Sequence, residues 1–194
     1  MMNIRYKNTS INIIDNVYEP SEDSFLLADA ALSEIKGSER ILEAGCGSGI
    51  ISAVIKANTK ASVIGIDINP HAAKCTRENG VEVIRGDLLS CIKGHFDLII
   101  FNPPYLPTKE DERDDGWLNA ALDGGCDGRT VILRFLEDAG RCLVPDGKIL
   151  MLVSSLTGID EIRSRMVSMG YAVEDIRQEN YMFEQLTVLS ASKK

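Results

Sequence analysis

Asn102-Pro103-Pro104-Tyr105 closes an apolar run, Phe-Asp-Leu-Ile-Ile-Phe, and brings together one amide side chain, one proline carbonyl and one aromatic ring. The Asn102 side-chain oxygen and the Pro103 carbonyl are both acceptors. If each takes one N–H of a planar amide or amine nitrogen while Tyr105 packs on its plane, the remaining lone-pair direction is fixed. That is an arrangement for transferring a small electrophile to a poor nucleophile. The rate gain comes from orientation and from acceptors placed where positive charge develops on nitrogen. No general base is required before transfer, because the proton can leave afterwards, and the sequence offers no obvious candidate for one.

A second constellation lies upstream. In Leu42-Glu43-Ala44-Gly45-Cys46-Gly47-Ser48-Gly49 three glycines at alternate positions let the backbone pass close under a ligand. The Gly-x-Gly-x-Gly spacing departs from the Gly-x-Gly-x-x-Gly pyrophosphate fingerprint, and Glu43 brings a negative charge that suits a cationic ligand better than a phosphate. Asp67 ends the next apolar run, where a carboxylate can accept from both hydroxyls of a ribose. Asp87, in Gly86-Asp87-Leu88, ends the one after, where a carboxylate can accept from an exocyclic amine such as that of adenine. Each alone reads as a surface turn residue. Three acidic strand ends in consecutive units, all on one edge, define a nucleoside site. His71 and His95 have no second His or Cys at ligand spacing, so no metal site is expected.

The elements that must position these residues follow from periodicity. The run at 96–101 has no polar alternation and reads as a strand buried on both faces. Pro103 and Pro104 cannot continue it, so the chain turns at Asn102, at the carboxyl end where open parallel α/β sheets bind ligands. Strands at 40–43, 62–67, 81–85, 96–101 and 148–153 alternate with helices at 50–57, 70–78, 129–144 and 159–169 and a short helical turn near 88–92. This predicts an α/β fold with a parallel sheet and right-handed crossovers. A helix starting after Pro20, capped by Ser21, precedes the series, and strands at 171–178 and 185–190 end it as an antiparallel edge hairpin. Residues 1–17 read as a small hairpin or lid with strands at 4–6 and 11–14. The segment 106–126 sustains neither period. It carries the acidic run 109–115, followed by Trp117, and such segments are usually functional or disordered.

The 194 residues, 44% apolar and 26% charged, fit one globular domain. A net charge of −8 disfavours unaided binding to a phosphate backbone. Cys46, Cys75, Cys91, Cys126 and Cys142 are odd in number and form no C-x-x-C, the pattern of reduced thiols in a cytosolic protein. No signal peptide, 18-residue apolar run or lipidation motif is found, and the expected location is the cytoplasm.

Glu-x-Gly-Cys-Gly-Ser-Gly, Gly-Ile-Asp, Gly-Asp-Leu and Asn-Pro-Pro-Tyr, in that order and spacing, resemble a class I S-adenosylmethionine-dependent methyltransferase over nearly all of the chain. Val17-Tyr18-Glu19-Pro20-Ser21-Glu22-Asp23-Ser24-Phe25-Leu26-Leu27 resembles the HemK-type N5-glutamine methyltransferases. It is similar in particular to the short eukaryotic and archaeal branch that modifies the Gly-Gly-Gln loop of class I translation release factors, as are Gly124-Gly125 and Gly128-Arg129. Glu43 stands where many methyltransferases have Asp, and Ser24 where Thr is common. The resemblance implies a Rossmann-like class I methyltransferase fold with a mostly parallel seven-stranded sheet. It implies S-adenosyl-L-methionine contacts from Ser24, Glu43, Gly45, Gly47, Asp67, Asp87, Leu88 and Asn102, and a substrate clamp of Asn102, Pro103 and Tyr105. It also implies a class I release factor as substrate and a small zinc-ribbon activator that adds a strand to the sheet at 81–85. The acidic run at 109–115 reads by default as a solvated loop; its functional reading is that it borders the substrate mouth and attracts a basic Gly-Gly-Gln loop. The same clamp suits the exocyclic amine of a flipped adenine or guanine, or a deprotonated lysine. The acidic charge and the absence of a target-recognition domain argue against nucleic acid. A catalytically silent scaffold of the same fold is a further reading, opposed by the intact Asp67, Asp87 and Asn102.

Overall fold

The structure is a computed structural model that describes residues 2–109 and 116–193. Of the acidic run at 109–115 only Lys109 is among them, so the expectation that the run borders a substrate mouth lies outside the described residues.

Near the N-terminus the expected hairpin is present. β1 (Met2–Tyr6) and β2 (Thr9–Ile13) pair antiparallel with Met2 opposite Ile13. The turn between them places Lys7 and Asn8 at positive φ, the combination that matches strand twist in two-residue hairpins. The hairpin is docked: Ile11 and Ile13 are buried, and the Tyr6 hydroxyl donates to Asp29 Oδ1 at 2.7 Å. Asp29 belongs to α1 (Glu22–Glu34). Ser21 stands at the start of α1 as expected, but its side chain makes no capping bond; its hydroxyl donates to Glu22 instead.

Five parallel strands follow, β3 (Arg40–Ala44), β4 (Ser62–Asp67), β5 (Glu82–Arg85), β6 (Phe96–Phe101) and β7 (Leu143–Ser154). Between the first three run α2 (Ile50–Asn58) and α3 (Pro70–Glu78). The short helix expected near 88–92 is a pair of tight turns, because Leu88 adopts a left-handed backbone (φ +46°) that no helix continues. After β6 come the single-turn α4 (Trp117–Ala120) and α5 (Thr130–Ala139). The helix expected over 129–144 is shorter: it ends at Ala139, tightens into a 3-10 turn at Gly140–Cys142, and β7 begins at Leu143. The Pro145-Asp146-Gly147 turn is a bulge inside β7, with Asp146 at φ +66° and a register shift against β6. α6 (Ile159–Ser168) leads to β8 (Tyr171–Asn180) and β9 (Gln185–Lys193), which are antiparallel. The seven-stranded order is β5-β4-β3-β6-β7-β9-β8, with β5 at one edge and β8 at the other.

β6 shows why such runs become central strands. Leu98 and Ile100 pack into the layer of α1, α2 and the hairpin, whereas Ile99 and Phe101 pack into the layer of α5 and α6. Both faces are covered, so both must be apolar. Phe101 stacks on Phe135 of α5 with ring centroids 4.4 Å apart, fixing the strand end that carries Asn102.

Candidate active site

At the carboxyl ends of β3, β4 and β6, and against the loop that follows β5, the chain encloses a cavity of about 280 Å³. All the sequence-predicted residues line it: Ser24, Glu43, Gly45, Gly47, Asp67, Asp87, Leu88, Asn102, Pro103 and Tyr105. They come from five separate stretches that this sheet order brings together.

The glycine loop forms the floor. Gly47 has φ +55° with open space where a Cβ would stand, a cradle shaped for a close ligand. Its N–H donates to Asp67 Oδ2 at 2.8 Å, and Asn69 N–H donates to Asp67 Oδ1 at 2.8 Å. Each carboxylate oxygen thus keeps a lone pair for a further donor, as two vicinal hydroxyls would require. Burial pushes the Asp67 carboxyl up, against the pull of these amide bonds.

Glu43 departs from the expectation of a negative charge offered at the loop. It is buried, and its Oε2 accepts from Ser52 N–H at 2.9 Å and from the Ser52 hydroxyl, anchoring the start of α2. Loss of solvent, opposed by the Ser52 bonds, raises its carboxyl to about 8. A folded-state value above the unfolded carboxylate range stabilises the fold fully below about pH 4.3 and is lost as pH rises through 8. Glu43→Gln keeps the acceptor for Ser52 and removes this titration. Its ligand-free melting temperature is therefore expected to vary less than wild type between pH 5 and 8, a change that thermal scans at three pH values will read.

Asp87 is not a free acceptor. Its Oδ2 accepts from Arg134 Nη2 of α5 at 2.6 Å on the cavity rim, leaving Oδ1 for a ligand amine. The left-handed Leu88 turns the chain beneath it.

At the end of β6, Asn102 Nδ2 donates to Asp23 Oδ2 at 3.0 Å, while Asn102 Oδ1 is buried and has no hydrogen-bond partner among the described residues. A buried acceptor left empty costs about 1–3 kcal/mol, so a donor arriving from the cavity would be favoured there. Tyr105 is half-buried at the mouth beside Tyr18; burial and the nearby Asp23 carboxylate push both phenols up, so both stay neutral. The segment after the prolines is stitched to 122–125 by Leu106 N–H to the Leu122 carbonyl and Gly124 N–H to the Leu106 carbonyl, both 3.0 Å. Behind it Gly128, at φ +72°, leaves no room for a Cβ, which would overlap the Tyr105 carbonyl and stand 2.6 Å from Thr157. Gly128→Ala is expected to lose about 1–2 kcal/mol of stability from its left-handed backbone alone, and more from displacing Tyr105. Denaturant melts paired with transfer rates will show both losses.

Among the lining residues that sequence reasoning did not place in the site are Tyr18, Asp23, Asn69 and Arg134. Asp23 had a signal, since it lies three and four positions before the apolar Leu26 and Leu27 and so shares their inward face. Asn69, capping α3 by accepting from His71 N–H at 2.8 Å, had one in its place before Pro70.

A cradle under a nucleoside-sized cavity, bordered by three acidic strand ends, on a sheet of this order, defines a class I methyltransferase. The Methyltransferase small domain family matches residues 22–117. The chain is 38% identical, over 98% of its length and 98% of the relative's, to a Methanocaldococcus jannaschii protein named "Putative protein N5-glutamine methyltransferase". It is 36% identical to Methyltransferase HEMK2 of Mus musculus over 92% of this chain and 90% of that one. Among solved structures, the E. cuniculi Mtq2-Trm112 complex, described as responsible for methylation of the eRF1 translation termination factor, matches with a TM-score of 0.77. That match has 28% identity and covers 92% of this chain and 99% of the other. Within the methyltransferases, the chain belongs to the HemK-type protein N5-glutamine methyltransferase family.

Proposed function

We propose that this chain transfers a methyl group from S-adenosyl-L-methionine to the side-chain nitrogen of the glutamine in the Gly-Gly-Gln motif of a class I translation release factor. The observation that carries the reading is the buried Asn102 Oδ1 at the cavity end of β6, unpartnered among the described residues. A carboxamide nitrogen is a poor nucleophile because its lone pair is delocalised into the carbonyl, and it offers two N–H donors. Asn102 Oδ1 and the Pro103 carbonyl accept one each, and Tyr105 covers the amide plane. As positive charge develops on the nitrogen both acceptors bind more strongly, which lowers the barrier.

S-adenosyl-L-methionine, when bound, supplies an electrophilic methyl on a sulfonium and leaves as S-adenosyl-L-homocysteine. Its fit rests on this cavity's own chemistry. Asp67 would hold the ribose, Asp87 and Leu88 the adenine side, and Gly45 and Gly47 would let the backbone close beneath it, with Ser24, Glu43 and Asn102 lining the remainder.

A small zinc-ribbon partner is the second part of the proposal. β5 is an edge strand whose backbone can accept an added strand, and Ile84 on it and Ile68 beside it are exposed apolar side chains of the kind such a partner covers.

The experiment is methyl transfer from labelled S-adenosylmethionine to a purified class I release factor, wild type against its Gly-Gly-Gln Gln→Ala variant, with and without the zinc-ribbon protein. Label on the wild-type factor alone supports the proposal, and the two arms show whether the partner is needed. Absence of label in every combination, with S-adenosylmethionine binding intact, rejects the substrate.

A further inference from the structure

A side-chain carboxamide has two nearly isosteric ends, and rotation by half a turn exchanges an acceptor for a donor. The function proposed for Asn102 works in one of these states only, with Oδ1 toward the cavity. Turned over, the NH2 group would face the substrate amide donor to donor, and the acceptor would be lost. Something in the fold must choose.

Within hydrogen-bond reach of the inner end of Asn102 stands Asp23 in the first turn of α1, 4% exposed. Its carboxylate accepts from four donors. Oδ1 takes the N–H and the hydroxyl of Ser24, the latter at 3.1 Å. Oδ2 takes the Tyr18 hydroxyl at 3.2 Å and Asn102 Nδ2 at 3.0 Å. An ionised carboxylate can only accept, and with these four donors its lone-pair positions are filled by the protein itself. It is built into the wall and not offered to a ligand.

We infer that Asp23 is a positioning residue that locks the Asn102 carboxamide with its oxygen facing the cavity. Flipping Asn102 would set its Oδ1 against Asp23 Oδ2, acceptor to acceptor, and forfeit a charge-assisted hydrogen bond. The same bond acts on the far end of the amide. Donation from Nδ2 to a carboxylate draws electron density toward Oδ1, which strengthens it as an acceptor when the substrate nitrogen gains positive charge. Tyr18 and Ser24 hold Asp23 in place, and Tyr18 also stands beside Tyr105 on the mouth side. The geometry of the clamp is thus set from outside the Asn-Pro-Pro-Tyr segment, by a residue 79 positions earlier in the chain.

This inference rests on the reading of Asn102 as the acceptor of the substrate amide, and its test has one arm that needs no substrate. In that arm the Asn102 side-chain amide protons are followed by nitrogen-15 NMR of the whole chain, assigned by their loss in Asn102→Ala. Wild type is expected to show slow exchange with solvent, and Asp23→Asn and Asp23→Ala to exchange about 10–100-fold faster, the range of one charge-assisted hydrogen bond. In the second arm, with the partner protein present if transfer requires it, Asp23→Asn is expected to lower kcat by about 10–100-fold. The KM for the methyl acceptor and the affinity for S-adenosylmethionine should stay within about threefold of wild type, a spread below 1 kcal/mol. Asp23→Ala introduced into Asn102→Ala should add no further loss, because its effect passes through Asn102.

Unchanged amide exchange in both Asp23 variants overturns the inference. So do multiplicative losses in the double variant, or a loss confined to KM or cofactor affinity. If Asp23→Ala fails to fold, the near-isosteric Asp23→Asn decides in both arms. If wild type methylates no release factor, the proposed substrate fails and the exchange arm still decides the role of Asp23.

Discussion

Asn102→Ala is expected to lower methyl transfer by about 10²–10³-fold, the loss that follows removal of one preorganised group at a centre of developing charge, while S-adenosylmethionine affinity falls little. The prediction is sharp because the side chain contributes so little to folding. Its Oδ1 is a buried acceptor without a partner among the described residues, so its removal relieves an unsatisfied group. Its Nδ2 leaves behind an Asp23 carboxylate still held by Tyr18 and by Ser24. Stability should therefore change by no more than about 1 kcal/mol in either direction, and the loss of rate cannot be ascribed to unfolding. Asn102→Asp is the harsher companion, since it sets a second carboxylate against Asp23 and offers an acceptor of the wrong charge state to the wall. Single-turnover kinetics at saturating cofactor, with a thermal melt of each variant, measure both quantities. A variant that retains most of the wild-type rate would remove Asn102 from the chemistry.

The strand ends were legible from the sequence because each stretch of strand-forming residues meets a residue that stops it. β6 halts at two prolines, β4 at Asp67, and the turn after β5 at Gly86-Asp87. Burial of β6 on both faces calls for helices on both sides of the sheet, so a parallel sheet with a site at its carboxyl edge was legible, whereas the strand order was not. What the sequence concealed was pairing between side chains distant along the chain. Nothing local to Asp87 announces that Arg134 will neutralise part of it, and nothing local to Glu43 announces that Ser52 will absorb it into the start of α2. Helix ends were misread for a related reason. Gly140 to Leu143 has an apolar pattern compatible with either period, and the bulge at Asp146 then lets one strand swallow a turn that would otherwise separate helix from strand. The N-terminal hairpin was ambiguous until its contacts with α1 and α3 were known, since the Tyr6 bond to Asp29 and the Asn12 N–H bond to Asn79 Oδ1 span 23 and 67 residues.

Asp67→Asn is expected to produce the opposite kinetic signature to Asn102→Ala, a loss in cofactor affinity that is largely recovered at saturation. The Asp67 carboxylate joins two lips of the cavity, taking Gly47 N–H on one oxygen and Asn69 N–H on the other. Asparagine keeps the shape but must turn its NH2 group toward one of these two amides, donor against donor, so either the glycine loop or the start of α3 loses its tie. It also lacks the charge that strengthens bonds from two ribose hydroxyls, each worth about 1.5–3 kcal/mol to an ionised acceptor. Together these lower affinity by about 10²–10³-fold, measurable by titration calorimetry with S-adenosyl-L-homocysteine. The same burial that raises the Asp67 carboxyl has a consequence for pH. As pH falls, Asp67 takes up its proton earlier than an exposed aspartate, so wild-type affinity should begin to decline above the usual carboxylate range, and Asp67→Asn should show no such decline from this group. A variant that binds as tightly as wild type, with the wild-type pH profile, would mean that the end of β4 does not hold the ribose, and the nucleoside would have to be sought nearer Asp87 and Arg134.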